Sequence, residues 1–119
     1  MLIKAETHCL EIDSPDGCKL RELLHPKQDP IALGFSLASA RLGPGERTHA
    51  HALTQVEVYY ILEGEGRMHI AAESGPVGPG DSVYIPAGAV QWIENVGSSE
   101  LRFLAMVCPP WQAEDDRLA

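Results

Sequence analysis

Apolar residues in this chain fall into short runs separated by glycine and proline. No long segment repeats at the 3.6-residue interval of an amphipathic helix. LIKAETHCLEI, CKLRELL, VYYIL, RMHIA, SVYIP, QWIEN and LRFLAMV read as strands, and residues 34–41 form another. Short strands spaced by turn residues predict an all-β sandwich or barrel. Ser14-Pro15-Asp16-Gly17 is a turn with a mechanism, because proline pre-sets one φ and glycine accepts the left-handed region. RELLH is short enough to be a single helical turn instead.

Strand alternation assigns faces. In residues 34–41 it puts Phe35, Leu37 and Ser39 on one side and Ser36, Ala38 and Ala40 on the other. Glu57, Tyr59 and Ile61 share a face in the next strong strand. Glu63-Gly64-Glu65-Gly66 reads as a hairpin turn, with RMHIA returning as the partner strand, Met68 and Ile70 inward and His69 outward. ESGPVGPGD reads as turn. The expected barrel lining is Phe35, Tyr59, Ile61, Met68, Ile70, Trp92, Phe103 and Met106. Residues 1–30 are expected to pack as strands and turns on a barrel of residues 31–110, followed by a tail over 111–119.

Length and composition narrow the function classes. A chain of 119 residues suits one domain, and 45% hydrophobic with 22% charged residues is a globular composition. A net charge of -8 argues against a nucleic-acid partner, which would need a basic face. No apolar run reaches the ~20 residues needed to span a bilayer, and the first residues mix charge with apolar side chains too early for a signal peptide. A cytoplasmic location without membrane association is expected. Cys9, Cys18 and Cys108 are odd in number and lack CxxC spacing, which suggests reduced structural thiols; Cys108 ends an apolar run where a thiol could pack near a site.

Candidate chemistry concentrates between Gly43 and Gly64. His49 and His51 are two residues apart, so in an extended strand they share a face. Glu57 heads a β-rich run on a neighbouring strand. Two imidazoles and a carboxylate form a set that suits Fe, Mn, Zn, Ni or Cu as a divalent ion. The same pair on a solvated strand would be ordinary surface chemistry. Gln55 is a local alternative to Glu57. Tyr59 is a candidate acid or ligand contact, and Arg41 and Arg47 near the mouth could hold an anion. His8 and His25 lack ligand-spaced partners. No second carboxylate, catalytic lysine or serine triad is evident at the mouth, so no general base is named.

With these residues in view, the chain resembles the cupin superfamily. The first cupin motif, G-x5-H-x-H-x(3,4)-E-x6-G, is met by Gly43, His49, His51, Glu57 and Gly64, with one extra residue between His51 and Glu57. The second, G-x5-P-x-G-x2-H-x3-N, is met by Gly80, Pro86, Gly88 and Asn95, with Gln91 where the family usually has its third histidine. The resemblance implies a double-stranded β-helix, or jelly-roll barrel, and a metal held by His49, His51 and Glu57, with Gln91 on or near it. It implies a metal-dependent dioxygenase, isomerase, epimerase or lyase acting on a small organic molecule. The alternative is a non-catalytic module that binds a small molecule or metal. It also implies a homodimer.

Overall fold

A computed structural model describes residues 1–119 as eleven strands and two short 3-10 turns, at Glu6–His8 and Ala113–Asp115. The strands are β1 (Glu11–Asp13), β2 (Lys19–Leu24), β3 (Ser36–Leu42), β4 (His51–Leu53), β5 (Val56–Glu63), β6 (Gly66–Ile70), β7 (Glu73–Val77), β8 (Ser82–Ile85), β9 (Gln91–Asn95), β10 (Leu101–Cys108) and β11 (Asp116–Leu118). They form two antiparallel sheets, ordered β1-β2-β3-β10-β5-β8 and β11-β4-β9-β6-β7. The two sheets make the jelly-roll fold.

The core follows from alternation in the long central strands. β10 buries Leu101, Phe103, Ala105 and Val107, and β5 buries Glu57, Tyr59 and Ile61. Met68 and Ile93 from the other sheet meet them, and Tyr59 packs on Phe103 with ring centroids 4.5 Å apart. Burying each large apolar side chain is worth about 1.5–3 kcal/mol. Asn95 closes the end of β9, its amide donating to the carbonyls of Leu42 and Ser99 while its carbonyl accepts the Gly97 N–H. This gives the motif asparagine a structural purpose: it ties three loops together.

Several expectations are corrected. β5 and β6 are not partners; β5 pairs with β10 and β8, β6 with β9 and β7, so the chain crosses from one sheet to the other at Gly64. The stretch after Ala72 contains strand β7 rather than turn alone, while residues 21–24 lie in β2, as the strand reading of CKLRELL has it and not its helical alternative. Phe35 is exposed. Trp92 faces outward, stacked on His69 at 3.4 Å between ring centroids with Arg47 over its ring. Met106 is likewise on the opposite face from Phe103 and Ala105, and Ile93 takes the lining position given to Trp92. The flanking segments join the sheets by pairing: β2 with β3, and β11, within the tail, with β4.

Candidate functional site

The site grows from the end of the barrel where β4, β5 and β9 approach. β5 turns Glu57 inward, 6% exposed, and β9 sets Gln91 opposite His51 of β4. The Gln91 amide donates to Glu57 Oε1 at 2.6 Å, and the Tyr59 hydroxyl donates to Gln91 Oε1 at 3.2 Å. Burial pushes the Glu57 carboxyl up to about 8; the Gln91 hydrogen bond opposes this, and the charges of Asp16 and Asp116 add to it. Burial raises the Tyr59 phenol well above its ordinary value, with the Glu57 charge adding.

His51 is 3% exposed and its Nδ1 has no hydrogen-bond partner. The nearest carboxylate oxygen, Asp16 Oδ2, is 3.7 Å away, outside hydrogen-bond range. Asp16 reaches the site from the Ser14–Gly17 turn, where the Ser14 hydroxyl and the Cys18 N–H hold its other oxygen. A cavity of about 80 Å³ opens beside these groups, bordered by His51, Glu57, Asp16, Glu22 and Asp116. Leu53, Val107 and Trp111 supply apolar wall, and no lysine or arginine lines it. Asp116 accepts the Trp111 indole N–H at 3.1 Å. Glu22 Oε1 has no partner, and burial raises the Glu22 carboxyl above its ordinary value. The two buried side-chain atoms without a partner, Glu22 Oε1 and His51 Nδ1, thus belong to residues lining one cavity. Unpaired buried polar groups cost free energy, so this cavity is where the fold concentrates that cost.

Of the expected site residues, His51, Glu57, Gln91 and Tyr59 come together. His49 does not join them: it is exposed, outside the cavity, with its imidazole over Gly17. The alternation that paired His49 with His51 requires an extended ladder, and β4 begins only at His51. The His49 N–H is instead bonded to the Asp16 carbonyl. Accordingly, no three His, Cys, Asp or Glu side chains are arranged as a metal cage. By donor chemistry His51 and Glu57 do fit a divalent cation, one offering a free imidazole nitrogen and the other a buried carboxylate with no basic side chain in the cavity. His49, as placed, does not.

The other candidates have structural partners. Gln55 is buried and donates to Asp115 at 2.8 Å, anchoring the tail. Arg41 pairs with Glu11 and Glu100, so neither it nor Arg47 reaches the cavity. His25 is buried with its ring nitrogen 2.8 Å from the Trp111 carbonyl, and Cys108 is exposed. Tyr59 does not line the cavity, and its hydroxyl is bonded to Gln91. The expectation of no second carboxylate at the mouth is overturned by Asp16, Glu22 and Asp116. They lie in a turn, a flanking strand and the acidic tail, at separations that no local motif joins.

A family model described as a cupin domain matches residues 38–107. The chain is 42% identical over 106 residues to an uncharacterised protein of Methanocaldococcus jannaschii, covering 87% of this chain and 82% of that one. It is 37% identical over 71 residues to an oxalate-binding protein of Thermotoga maritima, covering 59% of each. Among solved structures, a polyketide cyclase of Streptomyces resistomycificus superposes with a TM-score of 0.83 at 20% identity, covering 100% of this chain and 85% of the cyclase. At that identity the likeness speaks for the fold alone.

Proposed function

The chain belongs to the cupin family, and from that membership we propose that it binds a divalent metal ion at His51 and Glu57 and acts there on a small organic molecule. The reaction classes open to it are those of a metal-dependent dioxygenase, isomerase, epimerase or lyase. The observation that carries the proposal is the unpaired Nδ1 of His51 in the same cavity as a buried Glu57, with no lysine or arginine to offset the acid. A bound divalent ion would supply Lewis-acid polarisation of a carbonyl or enolate oxygen.

The chain's own residues do the rest. Gln91 fixes the Glu57 carboxylate through its amide and stands beside the ion position, and Tyr59 fixes Gln91 in turn. Leu53, Val107 and Trp111 exclude water from one side of the cavity. Without the ion, Glu57 carries a proton at neutral pH and releases it when a cation arrives. His49, the remaining member of the expected set, stands at the rim.

Elemental analysis of purified wild type, His51→Ala, Glu57→Ala, His49→Ala and Gln91→His tests this directly. The wild type should hold close to one equivalent of metal. His51→Ala and Glu57→Ala should lose at least tenfold in affinity, His49→Ala less, and Gln91→His should bind more tightly because imidazole replaces a neutral amide. Metal retained at wild-type affinity by the Glu57 variant would reject the ligand assignment. Turnover that depends on the ion would mark an enzyme, whereas binding without turnover would mark the alternative, a binding module.

A further inference from the structure

We propose that the ligand of this cavity carries a protonated amine, held among Asp16, Glu22 and Asp116, with its apolar body against Leu53, Val107 and Trp111. The inference rests on the reading of the cavity as the ligand site and narrows the class of molecule that enters it.

Charge is the first observation. Four carboxylates, those of Asp16, Glu22, Glu57 and Asp116, line the cavity with a single imidazole and no lysine or arginine. Several acids elsewhere have a cationic partner, Glu11 with Arg41, Glu6 with Arg102 and Asp29 with Lys4. The cavity is therefore a place where negative charge is gathered without an internal partner. An anion would meet the like charges of Asp16 and Asp116 there, and a divalent ion held at His51 and Glu57 would leave both without a basic side chain in the cavity. Repulsion of this kind discriminates strongly between ligands of opposite sign.

The second observation is independent of charge. Nδ1 of His51 and Oε1 of Glu22 are buried and accept no hydrogen bond. An ammonium group is a donor with three N–H bonds and no acceptor, as in lysine. With His51 Nδ1 given to the metal, the ammonium matches the remaining unsatisfied acceptor, Glu22 Oε1, in a way that a carboxylate, an acceptor only, does not. The apolar wall suits a short hydrocarbon body, and the volume of about 80 Å³ limits the ligand to a few heavy atoms within the enclosed part.

Calorimetric titration of the full chain with n-butylammonium, 1-butanol and butyrate tests the proposal, with metal-free and metal-loaded protein measured side by side. Butylammonium should bind at least tenfold more tightly than butanol, and butyrate should give no detectable heat. Glu22→Gln, which preserves shape at a position whose Oε1 makes no hydrogen bond, should weaken butylammonium at least fivefold and leave butanol unchanged. Asp116→Asn should do the same while still accepting the Trp111 N–H. Butyrate binding as well as butylammonium, or both variants binding butylammonium like wild type, would overturn the proposal. Metal uptake together with a preference for butyrate would sink this inference and leave the metal site standing. An ammonium preference in protein that takes up no metal would do the reverse.

Discussion

Alanine at position 64 should lower the unfolding free energy by about 3 kcal/mol or more, measured by urea denaturation against wild type. Gly64 has φ +90°, in the left-handed region where an L side chain costs roughly 1–2 kcal/mol. A Cβ there would also overlap the Glu100 carbonyl oxygen and lie 2.8 Å from the Leu101 Cα. Both obstacles are backbone, which cannot swing aside as a side chain would, and forced overpacking adds about 1–3 kcal/mol. Gly34→Ala is the control, since its Cβ would meet nothing within 4 Å; its effect should stay within about 0.5 kcal/mol. A Gly64→Ala protein as stable as the control would mean that the chain does not cross between sheets at this close approach.

Metal-free protein should lose stability as the pH rises from about 5 to 8, and Glu57→Gln should remove most of that slope. The folded carboxyl titrates at about 8, against the ordinary glutamate value of 4.5 taken for the unfolded chain. Between those values the folded state holds the extra proton, so raising the pH favours unfolding. The limiting slope is about 1.4 kcal/mol per pH unit, and a total loss of about 3 kcal/mol across the window is expected. Glu22 is raised by burial too, so a shallow slope of the same sign should survive in the variant. Glu11, held down at about 2 by Arg41, titrates below the window and does not enter it. Urea midpoints at pH 5, 6, 7 and 8 in chelator check this. Equal slopes in wild type and Glu57→Gln would remove Glu57 as the buried acid.

Much of the barrel was legible because strand burial is periodic. Glu57, Tyr59 and Ile61 fall on one face in the sequence and are buried together in the structure. The same rule shows why two lining assignments fail: if Gln91 points in, Trp92 must point out, and Phe103 excludes Met106 in the same way. The sheet crossing at Gly64 was hidden because a glycine-bearing turn between two strands has one pattern whether the strands pair or part. What distinguishes the cases is contact with Glu100, 36 positions away along the chain. β7 was hidden by Gly75 and Pro76, which an edge strand tolerates and a central one would not. At the site, the inward set on β4, β5 and β9 could be read locally, and His49 was misplaced by extending a strand rule beyond the strand. Asp16 and Asp116 were out of reach, since nothing in either segment marks a carboxylate as facing a cavity built by the other.

That last arrangement has a consequence for how such proteins diversify. His51, Glu57 and Gln91 lie within the stretch that matches the family, residues 38–107, whereas Asp16, Glu22 and Asp116 all lie outside it. On the proposed reading, chemistry and selectivity therefore sit on separate pieces of polypeptide. Grafting the flanking segments of one barrel on to the trunk of another should transfer appetite for a ligand while leaving the shared reactive floor, and the packing beneath it, intact.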